Sequence, residues 1–372
     1  MSGIKTVHSA HTQSADALRE VVLALDGTAP RAVVFFAGLA QDGALIGRGL
    51  QERFPKASVL GCSTNGEFCE RGHGKGGLVV MALGDEVIAR CALAMADVSD
   101  DIEKGVQSAA RRIEARLGES LRVLDAERWT GVALLEGARG REEAINVALG
   151  NMAPFLPVVG GSAGDNLSFS GTWTFADGML SRDGTAILIA EMQGPFRFIK
   201  ACNFTPTERS VTVTRTIPER RLIVELDGKP AAEFYAQALG VDTHELSFPH
   251  FLQNPLGLLI DGEAWLRSGV RVEGEALFFA CSVVEGARLH FMQATDLVED
   301  TRGKLARTMA ELAGPVHGGL FFNCAYRMLE AQIKGQEVAY HRVLSMLPHA
   351  GMQSNGESYL GHINQTLTGL IF

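Results

Sequence analysis

The sequence has no run of five lysines or arginines, and its 34 basic residues are outnumbered by 43 acidic ones. Nucleic acids and anionic membrane surfaces are recognised through a cationic footprint, so neither is expected as a partner. No apolar stretch approaches the roughly 18 residues of a membrane-spanning helix. Residues 1–8 lack the apolar core of a secretory signal. The expected location is therefore cytoplasmic. The six cysteines (Cys62, Cys69, Cys91, Cys202, Cys281 and Cys324) include no CxxC pair. They read as reduced thiols, and a structural zinc site built on close ligand pairs is not expected. HExxH and P-loop motifs are also missing, which removes common signatures of metalloproteases and nucleotide-binding enzymes. Gly72-His73-Gly74-Lys75-Gly76-Gly77 is glycine-rich, but it precedes a strand pattern and so lacks the helix terminus that binds phosphate.

What the chain does have is self-similarity. It is 372 residues long and 46% apolar, enough for about two domains. Three segments share one pattern: an apolar strand, a helix, a proline stop, and a second strand ending in Ser/Thr-x-Gly-Asp/Glu. The strands open at Ala32-Val33-Val34-Phe35-Phe36, Val132-Ala133-Leu134-Leu135 and Gly319-Leu320-Phe321-Phe322. The closing turns are Thr64-Asn65-Gly66-Glu67, Ser162-Ala163-Gly164-Asp165 and Ser354-Asn355-Gly356-Glu357. Such repetition marks a repeated supersecondary unit. Each copy runs on into short strands with Gly, Asp and Asn turns, which read as hairpins. Phe196 to Cys202 closes the second copy in this reading. Leu277 to Cys281 and Ala287 to Met292 echo the strand Val87 to Met95. The expected class is α/β, with two domains of internally repeated βαβ-hairpin units and mixed or antiparallel sheets covered by helices. The expected segments are 1–30, an N-terminal stretch, then a first domain over 31–204 and a second over 205–372.

The repeated turns also carry chemistry. Each offers a hydroxyl, a glycine that lets backbone approach a ligand, and a carboxylate. Gathered in one cleft, they suit an amine, an amide or an amino-acid-like molecule. Capping of the turns by their own carboxylates is the plainer alternative. Thr64, Glu67, Ser162, Asp165, Ser354 and Glu357 are therefore candidate ligand-binding residues. Arg327 is a candidate anion contact, Arg267 is either a ligand contact or an outward ion-pair partner, and Asn364 sits two residues from His362 in an extended stretch. Cys324 follows an apolar strand. It is either a buried thiol or, with a partner base, a nucleophile. His250 and His290 lie in apolar surroundings and are candidate axial haem ligands or ordinary core histidines. No catalytic residue and no metal site is assigned.

These motifs together resemble the FIST family of sensory proteins. The resemblance rests on Gly61-Cys62-Ser63-Thr64-Asn65-Gly66-Glu67, Gly160-Gly161-Ser162-Ala163-Gly164-Asp165, Phe322-Asn323-Cys324-Ala325-Tyr326-Arg327, and Ser354-Asn355-Gly356-Glu357 with its Asn364-Gln365-Thr366-Leu367-Thr368 ending. It spans residue 31 to the end. It implies a FIST N and a FIST C domain, and a cytosolic signal input that recognises a small molecule such as an amino acid. Separate histidine kinases or cyclic-dinucleotide enzymes are the implied partners. A branch of the family implies haem and nitric-oxide sensing instead. Tyr326 departs from the pattern, since glycine is usual before the arginine. No kinase, cyclase or DNA-binding output segment is expected before residue 31.

Overall fold

A computed structural model describes residues 3–372; Met1 and Ser2, which open the segment read as 1–30, lie outside the described residues. The three apolar runs set the architecture. Ala32–Gly38, Trp129–Leu135 and Gly319–Cys324 are buried along their whole length, as strands covered on both faces must be. Each opens a crossover whose two strands lie parallel.

Three units share one element order. The first comprises β1 (Ile4–Ser9), α1 (Ser14–Ala24), β2 (Ala32–Gly38), α2 (Gly43–Arg53), β3 (Ser58–Thr64), the hairpin strands β4 (Glu67–Cys69) and β5 (Gly72–Gly74), and a return strand β6 (Leu78–Leu83). The second comprises β7 (Ile88–Asp97), α3 (Ile102–Leu117), β8 (Trp129–Leu135), α4 (Glu142–Met152), β9 (Val158–Ser162), β10 (Thr174–Ala176), β11 (Met179–Ser181) and β12 (Gly184–Met192). The third starts with β13 (Arg197–Ala201) and is then interrupted by an insert. The insert holds β14 (Phe204–Ile217), β15 (Leu222–Leu226), β16 (Lys229–Pro230), α5 (Ala231–Leu239), α6 (Phe248–Gln253), β17 (Leu256–Ile260), β18 (Glu263–Arg267), β19 (Gly269–Glu273), β20 (Ala276–Phe279) and β21 (Arg288–Ala294). The third unit resumes with α7 (Leu297–Ala310), β22 (Gly319–Cys324), α8 (Ala325–Ile333), α9 (Glu337–Leu344), β23 (His349–Ser354), β24 (Glu357–Tyr359), β25 (His362–Ile363) and β26 (Leu367–Ile371).

The sheets repeat as faithfully as the elements. Their orders are β1-β6-β2-β3-β10-β11, β7-β12-β8-β9-β24-β25 and β13-β26-β22-β23-β4-β5. Each sheet takes four strands from its own unit and two from the hairpin of another. The first hairpin pairs with β23, the second with β3 and the third with β9, so the exchange runs in a closed cycle. The insert forms a separate sheet in the order β18-β17-β21-β14-β15-β20-β19, with β16 on β15. The protein is thus α/β, with mixed and antiparallel sheets.

Alternation along the strands sorts the core into layers. Val34 and Phe36, Val132 and Leu134, and Leu320 and Phe322 turn inward to one central core shared by all three units. Val33 and Phe35 face α1 and α2. Ala133 and Leu135 face α3 and α4, and Phe321 packs under α7 to α9.

Two expectations need correction. Arg197–Ala201 does not close the second unit; it leads the third, pairing antiparallel with β26 at Phe198↔Leu370. The segments Leu277 to Cys281 and Ala287 to Met292 contribute β20 and β21 of the insert rather than a lead strand. Hairpin reasoning joins neighbours in sequence, whereas β13 finds its partner only beyond the insert. Gly351 of β23 stands opposite Phe68 of the exchanged β4, and a Cβ there would lie 2.2 Å from the Phe68 ring. Gly351→Ala is expected to lower stability by about 1–3 kcal/mol, read from urea unfolding curves. An unchanged midpoint and slope would mean that this seam is not closely packed.

Candidate functional site

The three repeated turns meet. Asn65 N–H donates to the Gln353 carbonyl at 3.0 Å, and Gln353 N–H donates to the Gly66 carbonyl at 2.7 Å. Asn355 N–H donates to the Ser162 carbonyl at 3.1 Å, and Ser162 N–H to the Gly356 carbonyl at 2.8 Å. Gly164 N–H closes the ring by donating to the Ser63 carbonyl at 2.9 Å. The Asn65 side-chain amide donates to Asn355 Oδ1 at 2.8 Å, and that of Asn355 donates to the Gly137 carbonyl at 2.8 Å. Glycine is needed because the backbones touch: a Cβ on Gly164 would lie 2.4 Å from Asn65 N.

Thr64, Glu67, Ser162, Asp165, Ser354 and Glu357 are all buried in this junction. Their carboxylates fold back on their own turns. Glu67 Oε1 accepts from Gly77 N–H at 2.7 Å. Glu357 Oε1 accepts from Ser354 Oγ, and Oε2 from Thr366 Oγ1, both at 2.7 Å. Asp165 accepts from the N–H groups of Phe169, Ser170 and Gly171 and from Ser168 Oγ. The electrostatics of the three differ. Burial pushes Glu357 up to about 8, against the pull of Thr366 and Ser354. Burial also raises Glu67. For Asp165 burial again opposes ionisation, but the Gly171, Ser170 and Phe169 amides outweigh it and hold the carboxyl below its usual range.

A cleft of about 810 Å³ opens elsewhere. One wall is α4 with the following loop, including Glu143, Asn146, Leu149 and Leu156. The opposite wall is the β17–β18 hairpin with Ile260, Trp265 and Arg267, and the floor is the third hairpin with Tyr359 and His362. Trp265 stacks on Tyr359 with centroids 6.4 Å apart, and Lys200 Nζ lies 4.3 Å from the indole centroid. Glu143 accepts from Arg221 at 2.6 Å and from Ser282 N–H at 2.6 Å. Arg267 is partly exposed in the cleft. Its Nη1 donates to the Leu266 carbonyl at 2.9 Å, and among the described residues no carboxylate lies within ion-pair distance of it.

The remaining candidates are dispersed. Arg327 is fully buried inside the third unit, donating to Tyr340 Oη, Asn203 Oδ1 and Thr301 Oγ1 at 3.2, 2.9 and 2.8 Å. Cys324 packs beside Leu252 and Tyr326, and burial, followed by Glu357, pushes its thiol well above the usual range. A protonated, enclosed thiol is a poor nucleophile. Asn364 is fully buried, and neither its amide oxygen nor its nitrogen finds a protein partner. His250 Nδ1 is held by Ser247 N–H at 3.2 Å and lies 3.0 Å from Ser247 Oγ. Neither His250 nor His290 lines the large cleft, so this geometry does not fit a haem held there by either. Of the candidates, Arg267 alone faces that cleft. Trp265, Tyr359, Glu143 and Asn146 escaped sequence reasoning because they come from three separate elements with no shared motif; an aromatic two residues before an arginine was the only local signal.

The model of the FIST N domain matches residues 31–229, and that of the FIST C domain matches residues 231–359. The chain belongs to the FIST family. It is also 26% identical over 271 residues to an uncharacterized protein of Methanocaldococcus jannaschii. That match covers 68% of this chain and 52% of the relative, so the chain spans about half the relative's length. FIST domains are sensory domains of signal transduction. In this FIST protein the large cleft lies across the two matched regions, with α4 in the first and β18 in the second. Among the described residues no helix is long and apolar enough to cross a membrane.

Glu357 makes the junction sensitive to pH. A carboxyl whose folded-state value is raised stabilises the fold fully below its unfolded value and loses that contribution as pH rises through the folded value. The window runs from the ordinary carboxyl value of 4.5 to about 8, with a slope of at most about 1.4 kcal/mol per pH unit. Glu357→Gln should therefore lose less stability than the parent between pH 5 and 8 in chemical unfolding. Parallel profiles would show that Glu357 does not titrate on folding.

Proposed function

We propose that the chain is a signal-input protein that binds a small organic anion, with an amino acid as the leading class, in the cleft between its FIST N and FIST C regions. The observation that carries this reading is Arg267, a guanidinium in an apolar, aromatic-walled cleft with no carboxylate partner of its own. Its planar fork matches a carboxylate in a bidentate pair. The Trp265–Tyr359 stack offers a flat apolar face to the body of the ligand, and the partly exposed Glu143 and Asn146 offer acceptors for an ammonium group.

Binding would bridge α4 and the β17–β18 hairpin, and so favour arrangements in which the two walls stand close. The buried turns Thr64–Glu67, Ser162–Asp165 and Ser354–Glu357 then act as the joint through which the walls are connected. A change of shape on this scale needs a reader, and a separate histidine kinase or cyclic-dinucleotide enzyme is the kind of partner we infer. Neither catalysis by Cys324 nor haem at His250 or His290 has a geometric observation in its favour.

The reading is tested by thermal unfolding against the common amino acids and simple aryl carboxylates. A binder raises the melting temperature by mass action, and Arg267→Ala should weaken it by about 10–100-fold, the loss of one charge-assisted bond. If no member of the panel shifts the parent protein, or if Arg267→Ala binds as the parent does, the cleft is not the receptor.

A further inference from the structure

We propose that His73, His341 and Glu337 form a binding site for one divalent transition-metal ion of the zinc class, at the seam where the first unit's hairpin enters the third unit's sheet. One donor atom from each of the three side chains lies within 4.8 Å of the others. The donor set of two imidazoles and one carboxylate suits a zinc-like ion with room for solvent in the remaining position. In a tetrahedral zinc site two donors stand about 3.4 Å apart. Closing that gap requires exposed His73 to turn out of its stack on His341 (ring centroids 3.6 Å apart, planes 5° from parallel), because imidazole lone pairs lie in the ring plane, and half-buried Glu337 to rotate with it.

The surroundings favour an ion over a hydrogen-bonded cluster. His341 is 8% exposed, and its enclosed Nε2 has no hydrogen-bond partner. His8 flanks the same hairpin, with its ring against Gly72 and Gly74, and its Nε2 is likewise enclosed and unpartnered. Glu337 makes no ion pair among the described residues. Its Oε1 accepts only a long 3.5 Å bond from Gln332. Buried polar atoms without partners are uncommon and call for an explanation such as an ion. Burial, then the neighbouring His73 and His349, holds His341 down to about 3, so its imidazole is neutral and available as a ligand at neutral pH.

The ion would fasten β5, from the FIST N region, to α9, from the FIST C region. The site shares no residue with the Arg267 cleft and does not depend on it. The test is zinc chloride added to chelator-treated protein, with bound zinc counted by mass spectrometry after dialysis and stability followed by melting temperature. One zinc per chain and a raised melting temperature are expected. His73→Ala and Glu337→Gln should each weaken binding at least as much as the 10–100-fold typical of losing an outer-shell partner. Both positions are solvent-accessible, so the metal-free variants should melt with the parent. Should one of them fold poorly, the other carries the comparison. Absence of stoichiometric zinc in the parent overturns the proposal, as does parent-like zinc binding in a folded variant.

Discussion

The ring of backbone hydrogen bonds joining three buried turns is what the rest of this molecule depends on. Each turn donates to or accepts from the next, through Asn65 and Gln353, Asn355 and Ser162, and Gly164 and Ser63. The turns can approach so closely because the third residue of each is glycine, and each buried acid takes its hydrogen bonds from within its own unit. A buried carboxylate without such donors would cost several kcal/mol. Here donors offset part of that cost: Thr366 and Ser354 for Glu357, the Gly77 amide for Glu67, and the 169–171 amides for Asp165. The junction then fixes where the exchanged hairpins begin, and the hairpins fix which sheet each unit completes.

From that centre outward the molecule is ordered by symmetry and by its one violation. Three six-stranded sheets share a strand order, a central core and an outer layer of helices. The third unit alone carries an insert between its lead strand and first helix. That insert packs against α4 through Arg221, Glu142 and Glu143, and its β17–β18 hairpin supplies the second wall of the cleft. Of three seams that begin alike, this one is built up into the large cleft. The ligand-binding reading and the symmetry of the fold are connected in this way: the site exists where the repetition fails.

Much of the repeat was legible in the sequence. Fully apolar strands, the proline stops after Phe54, Ala153 and Leu347, and the turn signatures each carry local signals, and the crossovers fall where those signals put them. The likeness to the FIST family was legible for the same reason, since its marks lie in the turns. Strand exchange was not legible. Hairpins β4–β5, β10–β11 and β24–β25 look in sequence like any local hairpin, and nothing in residues 67–74 names β23 as a partner. The lead strand Arg197–Ala201 was misread because its antiparallel partner lies some 170 residues later. The cleft was only partly legible: Arg267 was a candidate contact with two readings, whereas Glu143, Trp265 and Tyr359 acquire meaning only once three elements are side by side.

The closing strand of the cycle has a consequence for how the protein is made. β26, Leu367–Ile371, lies between β13 and β22 and supplies both with their antiparallel neighbour. Until it leaves the ribosome, the third sheet has a gap at its middle. The first hairpin, β4–β5, then has only an incomplete sheet to join. Multi-domain chains ordinarily mature from the N-terminus as synthesis proceeds. In this chain the first hairpin waits for a partner strand about 280 residues further on, so until then it carries an unpaired strand edge, a state in which chaperones find their substrates.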